Sequence, residues 1–217
     1  MKRVLSIPLV FLLFGCAGDS DEAQIGTLVW NSFDKSAGKI PRERAAAVPY
    51  ATMGLELGSS PQALLVLGTI AKNELDWFAG EQVFVRTKNG RVIRTAGLPY
   101  DLGGLRDLST NSMLRGTASS SAPQQFSLDF PDLGIFGATA QCSPKDMGDD
   151  NVEIFGSRIA TRHIVEHCTV EAMRWNFDNE YWKDRMSGYV WRSSQHIHPK
   201  SPPLILEVLR PEQNSPS

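Results

Sequence analysis

Several groups of side chains in this sequence have the types and spacing for chemistry. His163-Ile164-Val165-Glu166-His167 spells H-x-x-E-H, the inverted zincin pattern. On a helix, histidines at i and i+4 share a face and can hold one zinc, with the glutamate as general base. The window Ile159 to Val170 is instead rich in β-branched residues and has no capping signal, so it reads as a strand. There positions 163 and 167 lie about 13 Å apart, too far for one ion. A helix stays open, since Val165, Cys168, Ala172 and Trp175 also fit helical spacing. His196 and His198 stand two apart before Pro199 and read as exposed histidines near a strand end. Asp146, Asp149, Asp150 and Asn151 resemble part of a calcium loop but lack its twelve-residue spacing and closing glutamate, so they read as a solvated acidic loop. There is no G-x-S-x-G, P-loop or G-x-G-x-x-G. A dispersed Ser-His-Asp set, recognised only by geometry, stays open. No catalytic residue, metal or cofactor is assigned, and the chain is expected not to be an enzyme.

The three cysteines divide into one and two. Lys2 and Arg3 precede an apolar run, Val4 to Phe14, which is too short to span a bilayer and reads as a secretory signal peptide over 1–15. The run ends Leu13-Phe14-Gly15-Cys16, a bacterial lipobox with an aliphatic residue at −3 and a small one at −1. Cleavage before Cys16 removes two of the 22 basic side chains and none of the 24 acidic ones, which takes the charge from −2 to −4. Acyl chains such as palmitate on Cys16 would anchor the protein in a lipid bilayer. Ala17, where an Asp would hold the chain at the inner membrane, sends it to the outer membrane. Residues 16–24 read as the lipidated cysteine and its tether. In an oxidising periplasm, Cys142 and Cys168 are a candidate disulfide, with two buried free thiols as the alternative.

Two surface groups offer binding chemistry. Arg86, Lys88, Arg91 and Arg94 could face an anionic partner, either an acidic polysaccharide or lipid headgroups, or could be charges that guard a sheet edge. Trp182 and Trp191 flank an expected hairpin turn and could stack on sugar rings, with core packing as the alternative. At a formal charge of −2 there is no electrostatic case for nucleic acid.

The elements that must hold these residues are mostly strands. Residues 25–36 read as one short N-terminal helix, with Ile25, Leu28, Val29 and Phe33 on its apolar side. Tyr50 to Leu57 alternates, Gly58 to Pro61 is a turn, and Gln62 to Ile70 is either a strand buried on both faces or a short helix, with the flanking turns favouring strand. Asn89-Gly90 between two β-rich runs predicts a type I′ hairpin, with Lys88 and Arg91 opposite each other at its tip. Gly103 to Gln125 reads as a long loop with one helical turn at Leu105 to Leu108. Phe126 to Phe130 reads as a half-buried strand, and Ser143 to Asn151 as a polar loop. A second hairpin is expected over Tyr181 to Arg192, a last strand over Leu204 to Leu209, and a disordered tail over 211–217. The fold class is mostly β, an antiparallel barrel-like or sandwich domain over 25–210.

Several of these stretches together resemble the YjbF/GfcB family of capsule and exopolysaccharide lipoproteins. They are the lipobox at Cys16, Val48 to Ala51, Pro61 to Leu67, Lys88 to Leu98, Tyr181-Trp182 with Ser187 to Gln195, and Pro202 to Leu209. The resemblance implies a β-rich, barrel-like lipoprotein of the outer membrane, facing the periplasm and made with an exopolysaccharide secretion operon. Its expected partners are other proteins of that operon or the polysaccharide itself. The expected role is accessory, in assembly or export of the glycan; the alternative is a periplasmic hydrolase acting on it. The family supplies no catalytic residues to carry over.

Overall fold

The computed structural model describes residues 38–80, 82–108 and 123–212. The expected signal peptide, Cys16 with its tether, and the helix over 25–36 lie outside the described residues. Within them one α-helix, α1 (Arg42–Ala46), precedes twelve strands. These are β1 (Thr52–Leu57), β2 (Ala63–Ala71), β3 (Glu74–Ala79), β4 (Val83–Lys88), β5 (Arg91–Ala96) and β6 (Gly104–Asp107). Then come β7 (Gln124–Phe130), β8 (Ile135–Ile154), β9 (Ser157–Val170), β10 (Trp175–Asp184), β11 (Val190–Gln195) and β12 (Leu204–Arg210).

All twelve strands form one sheet in the order β5-β4-β3-β2-β1-β12-β11-β10-β9-β8-β7-β6. Its two ends meet where the Thr95 N–H donates to the Leu102 carbonyl at 2.9 Å and the Leu102 N–H donates to Thr95 Oγ1 at 2.9 Å. The result is a nearly closed antiparallel barrel rather than a sandwich. Period-two alternation sends one set of side chains inward, among them Leu65, Trp77, Val85, Phe130, Val170 and Leu206. Trp77 is fully buried, and its Nε1–H is satisfied by Thr87 Oγ1 at 3.0 Å.

The unbroken apolar run in β2 has a double purpose. Leu65 points into the barrel, while Leu64 and Val66 lie under Ile40, Ala45 and Val48 of the α1 segment on the outer wall. The Asn89-Gly90 turn has both φ angles positive, 50° and 79°, as a type I′ turn requires. The β10–β11 hairpin and the final strand also form where alternation and turn residues place them.

Other segments differ from the sequence expectation. Ser143 to Asn151 is strand, not loop: it lies inside β8 and pairs with β9. The ladder to β9 satisfies its backbone, and a register shift at Gly148 (φ 101°) absorbs the irregularity. Leu105 to Leu108 is not helical. Gly104–Asp107 pairs with β7 as β6, and residues 109–122 lie outside the described set. The hairpin of β2 and β3 turns through Lys72-Asn73, whose φ values of 52° and 66° give the I′ shape without glycine.

β8 and β9 continue past the end of β10 as a two-stranded arm that turns at Phe155-Gly156. The arm folds back against the outer wall. Asp150 accepts a hydrogen bond from Trp182 Nε1 at 2.8 Å, and Phe155 packs against the outer cluster of Ile40, Ala45, Val48, Leu64 and Val66. The Arg42 guanidinium donates to the Phe155 carbonyl, closing the arm onto α1.

Candidate functional site

The densest polar assembly in the barrel interior is built around the Asn89-Gly90 hairpin. Gly90 leaves no room for a side chain: a Cβ there would lie 2.5 Å from Val190. This close approach brings β5 against β11, across the barrel. Gln195, at the end of β11, reaches over and pairs with the backbone of β5. Its Oε1 accepts the Val92 N–H at 2.9 Å, and its Nε2 donates to the Gly90 carbonyl at 2.9 Å and to Ser193 Oγ at 2.8 Å. One side-chain amide thus acts as a strand neighbour for part of an edge strand.

Arg91, the next residue, enters the interior and is 5% exposed. It donates to Glu166 Oε1 at 2.7 Å, and its guanidinium lies 4.3 Å from the Phe126 ring centre and 5.4 Å from that of Tyr181. Burial is the largest single influence and opposes its charge, but Glu166, Tyr181 and Asp107 together hold the Arg91 pKa above its ordinary value. Burial pushes the Tyr181 phenol up. Glu166 Oε2 also accepts from Asn179 Nδ2 at 3.4 Å.

Beside Glu166, Cys142 and Cys168 are directly opposite each other on β8 and β9 and form the expected disulfide. Both are buried, and the alternative of two free thiols is set aside. The Arg91 side chain, the disulfide, Asn179, Gln195, Phe126 and Phe177 line a cavity of about 20 Å³. That is room for about one water molecule. Arg91 Nε has no hydrogen-bond partner among the described residues. The arrangement can fix the hairpin tip against β9–β11 and hold a water, but it has no room for a sugar ring.

The candidate site residues are thus redistributed. The basic group does not form one patch. Arg91, although opposite Lys88 in the hairpin register, is inside the barrel, where Glu166 neutralises it. Arg86 and Lys88 remain on the outer face with Arg94, but Arg86 is bonded to Asp76 at 2.6 and 2.8 Å and Lys88 to Glu74 at 3.1 Å. Replacing Arg91 along with the others would therefore remove a buried ion-pair partner rather than a surface charge.

Trp182 and Trp191 do not make a shared platform. Trp182 is on the outer wall. His163 of β9 stacks on it at 4.7 Å and 6°, Arg192 of β11 lies 5.4 Å from its centre, and Asp150 holds its N–H. Trp191 packs against the barrel core beside Tyr189. Register explains the separation, since Trp182 pairs with Arg192 and a shift follows at once.

The H-x-x-E-H residues lie on a strand, and alternation splits them. Glu166 faces inward. His163 and His167 face outward, hydrogen-bonded to Glu180 at 2.8 Å and Asp178 at 2.7 Å. His198 is fully buried rather than exposed. It stacks on Tyr100, lies 3.2 Å from Asp132, and accepts the Lys200 N–H at Nδ1. Asp146 and Asp149 pair with Arg162 on the strand surface. Among the described residues the two buried carboxylates sit on opposite faces of the wall, Glu166 inside and Glu207 outside with Lys39, so these two cannot flank one bond.

Sequence reasoning missed Asn179, Gln195 and the interior role of Glu166. One signal was available. In a strand, Glu166 shares its face with Cys168, the expected disulfide partner of Cys142.

Comparison with known proteins fits this architecture. A family model described as group 4 capsule polysaccharide lipoprotein GfcB, YjbF matches residues 24–209. The chain is 25% identical over 96% of its length to an uncharacterized lipoprotein, GfcB, of Escherichia coli K12, covering 97% of that protein. It is 24% identical over 91% of its length to the uncharacterized lipoprotein YjbF of the same organism, covering 92% of it. The crystal structure of the hypothetical lipoprotein YmcC from Escherichia coli superposes with a TM-score of 0.70 at 22% identity, over 88% of this chain and 95% of that one.

Proposed function

This chain belongs to the YjbF family of group 4 capsule polysaccharide lipoproteins, and from that premise we propose that it is an accessory protein anchored by lipid at the periplasmic face of the outer membrane. It acts in assembly or export of a surface polysaccharide by binding a partner protein or the glycan, without catalysing a reaction. The observation that carries this reading is the family match across residues 24–209. The lipobox ending at Cys16 supports the anchor, and Ala17 supports the outer membrane. The filled interior favours contact through the outer surface, where Arg86, Lys88 and Arg94 lie in adjacent strands.

The test is deletion of the gene and complementation with the wild-type chain, with Cys16→Ala, and with a variant in which Arg86, Lys88 and Arg94 are all Gln. Wild type should restore surface polysaccharide. Cys16→Ala should leave the membrane fraction and fail to restore it. The triple variant should lower export at normal protein level. Full restoration by soluble Cys16→Ala would overturn the anchored reading.

A further inference from the structure

The two mouths of the barrel differ. At one of them lie the start of β1, the Lys72-Asn73 and Asn89-Gly90 turns, and the β10–β11 turn, because even-numbered strands end there and odd-numbered strands begin there. Large apolar side chains stand out at this mouth, among them Tyr50 at 49% exposure, Ile70 and Leu108 at 54% and Met186 at 95%, against Phe136 and Tyr100 at the other mouth. Met186 is held out on a fixed turn. Its own N–H and that of Ser187 both donate to Asp184 Oδ1, at 3.0 and 2.8 Å. Each of two tips has a cation beside it. Lys72 follows Ile70 in the β2–β3 turn, and Arg185, 3.2 Å from Asp149, precedes Met186.

We propose that this mouth rests on the phospholipid surface, with Tyr50, Ile70 and Met186 entering the headgroup region. The proposal takes its setting from the anchored reading above and adds which end of the domain meets lipid. The geometry favours a plane over a protein groove. Tyr50, just before β1, and Ile70 stand on neighbouring strands, while Met186 projects from the β10–β11 turn, so the apolar groups are spread along the rim rather than gathered in the single contiguous patch that marks a protein interface. Tyrosine is at home in the interfacial layer, and cations next to apolar tips suit phosphate at the same depth. The chain between Cys16 and Gly38 reaches at most about 75 Å, so the tether permits either mouth to turn to the membrane and the rim chemistry decides.

The experiment separates orientation from acylation. The Cys16→Ala chain, carrying an N-terminal histidine tag, is held on vesicles of phosphatidylethanolamine and phosphatidylglycerol that contain a nickel-chelating lipid. An environment-sensitive fluorophore is attached at Ile70→Cys, Met186→Cys or, at the opposite mouth, Phe136→Cys (Phe136 is 70% exposed). All three should melt at the parent temperature. Labels at 70 and 186 should shift to the blue and lose at least half their emission to a quencher carried in the bilayer, while the label at 136 keeps its emission. Equal or stronger quenching at 136, or none at 70 and 186, overturns the proposal. A wild-type Cys16 found without acyl chains sinks the anchored reading alone, because the tag replaces the anchor here.

Discussion

Gln195 and Val92, far apart in the chain and on opposite sides of the barrel, are joined by a hydrogen bond of 2.9 Å from the Val92 amide to Gln195 Oε1. Nε2 of the same Gln195 side chain donates to the Gly90 carbonyl. A side chain of β11 therefore completes the hydrogen bonding of β5, a strand at the end of the sheet, and draws the two walls together. The stretches Lys88 to Leu98 and Ser187 to Gln195, both of which carry the family resemblance, meet at this bond.

Gln195→Leu removes the acceptor and both donations while keeping the bulk. Leaving buried backbone groups unsatisfied should cost about 1–3 kcal/mol in urea unfolding. Hydrogen exchange should accelerate at Val92 in particular. An unchanged Val92 exchange rate would show that water replaces the bond at no cost.

Arg91 and Glu166 should behave as a unit. Arg91→Met strands a buried carboxylate and should destabilise by about 3–5 kcal/mol, whereas pairing it with Glu166→Leu should recover most of that loss. Denaturant midpoints of the two single variants and the double variant give the coupling directly. Additive single effects would refute it.

Gly90→Ala should be poorly tolerated, since φ is 79° and the new Cβ would meet Val190. Strain at such a position is on the order of 1–3 kcal/mol. Adding Val190→Ala should restore part of the melting temperature by relieving the contact but not the backbone conformation.

Reduction of Cys142–Cys168, which closes a separation of 26 residues, should lower stability by about 3.5 kcal/mol on the chain-entropy model. Protein isolated without reductant should resist alkylation at both positions, as read by mass spectrometry of the intact chain.

The arm should respond to acid. The Trp182 N–H, and then the Asn151 N–H, hold the Asp150 carboxyl below its ordinary value. A depressed carboxyl stabilises the fold fully above the unfolded value of about 3.9 and loses that contribution as pH falls through the folded value. Asp150→Asn should therefore cost less than about 1 kcal/mol at pH 7, given the exposure of the site, and nothing once wild-type Asp150 is itself protonated. A difference in urea stability that does not shrink as pH falls below the unfolded value would point to packing of the arm rather than to the charge.

Much of the fold is legible in the sequence because its signals are local. The Asn89-Gly90 hairpin, the alternation in Phe126 to Phe130 and the two-sided run of β2 each follow from turn stereochemistry or side-chain period. So does the strand that separates His163 from His167. Cys142 and Cys168 were paired by compartment, and the structure agrees. What only the tertiary structure decided is which side of the wall each residue occupies and what it meets there. Contact of the hairpin tip with β9 and β11 turns Arg91 from an expected surface cation into a buried partner of Glu166. The pairing of Trp182 with Arg192 leaves the neighbouring Trp191 on the opposite face and divides the two tryptophans between the outer wall and the core. The polar composition of 143–151 reads as loop, yet β9 gives its backbone a ladder, and no local signal reveals a partner strand. Barrel closure brings Gln195 to Val92, because contacts across an interior depend on the curvature and register of all twelve strands together.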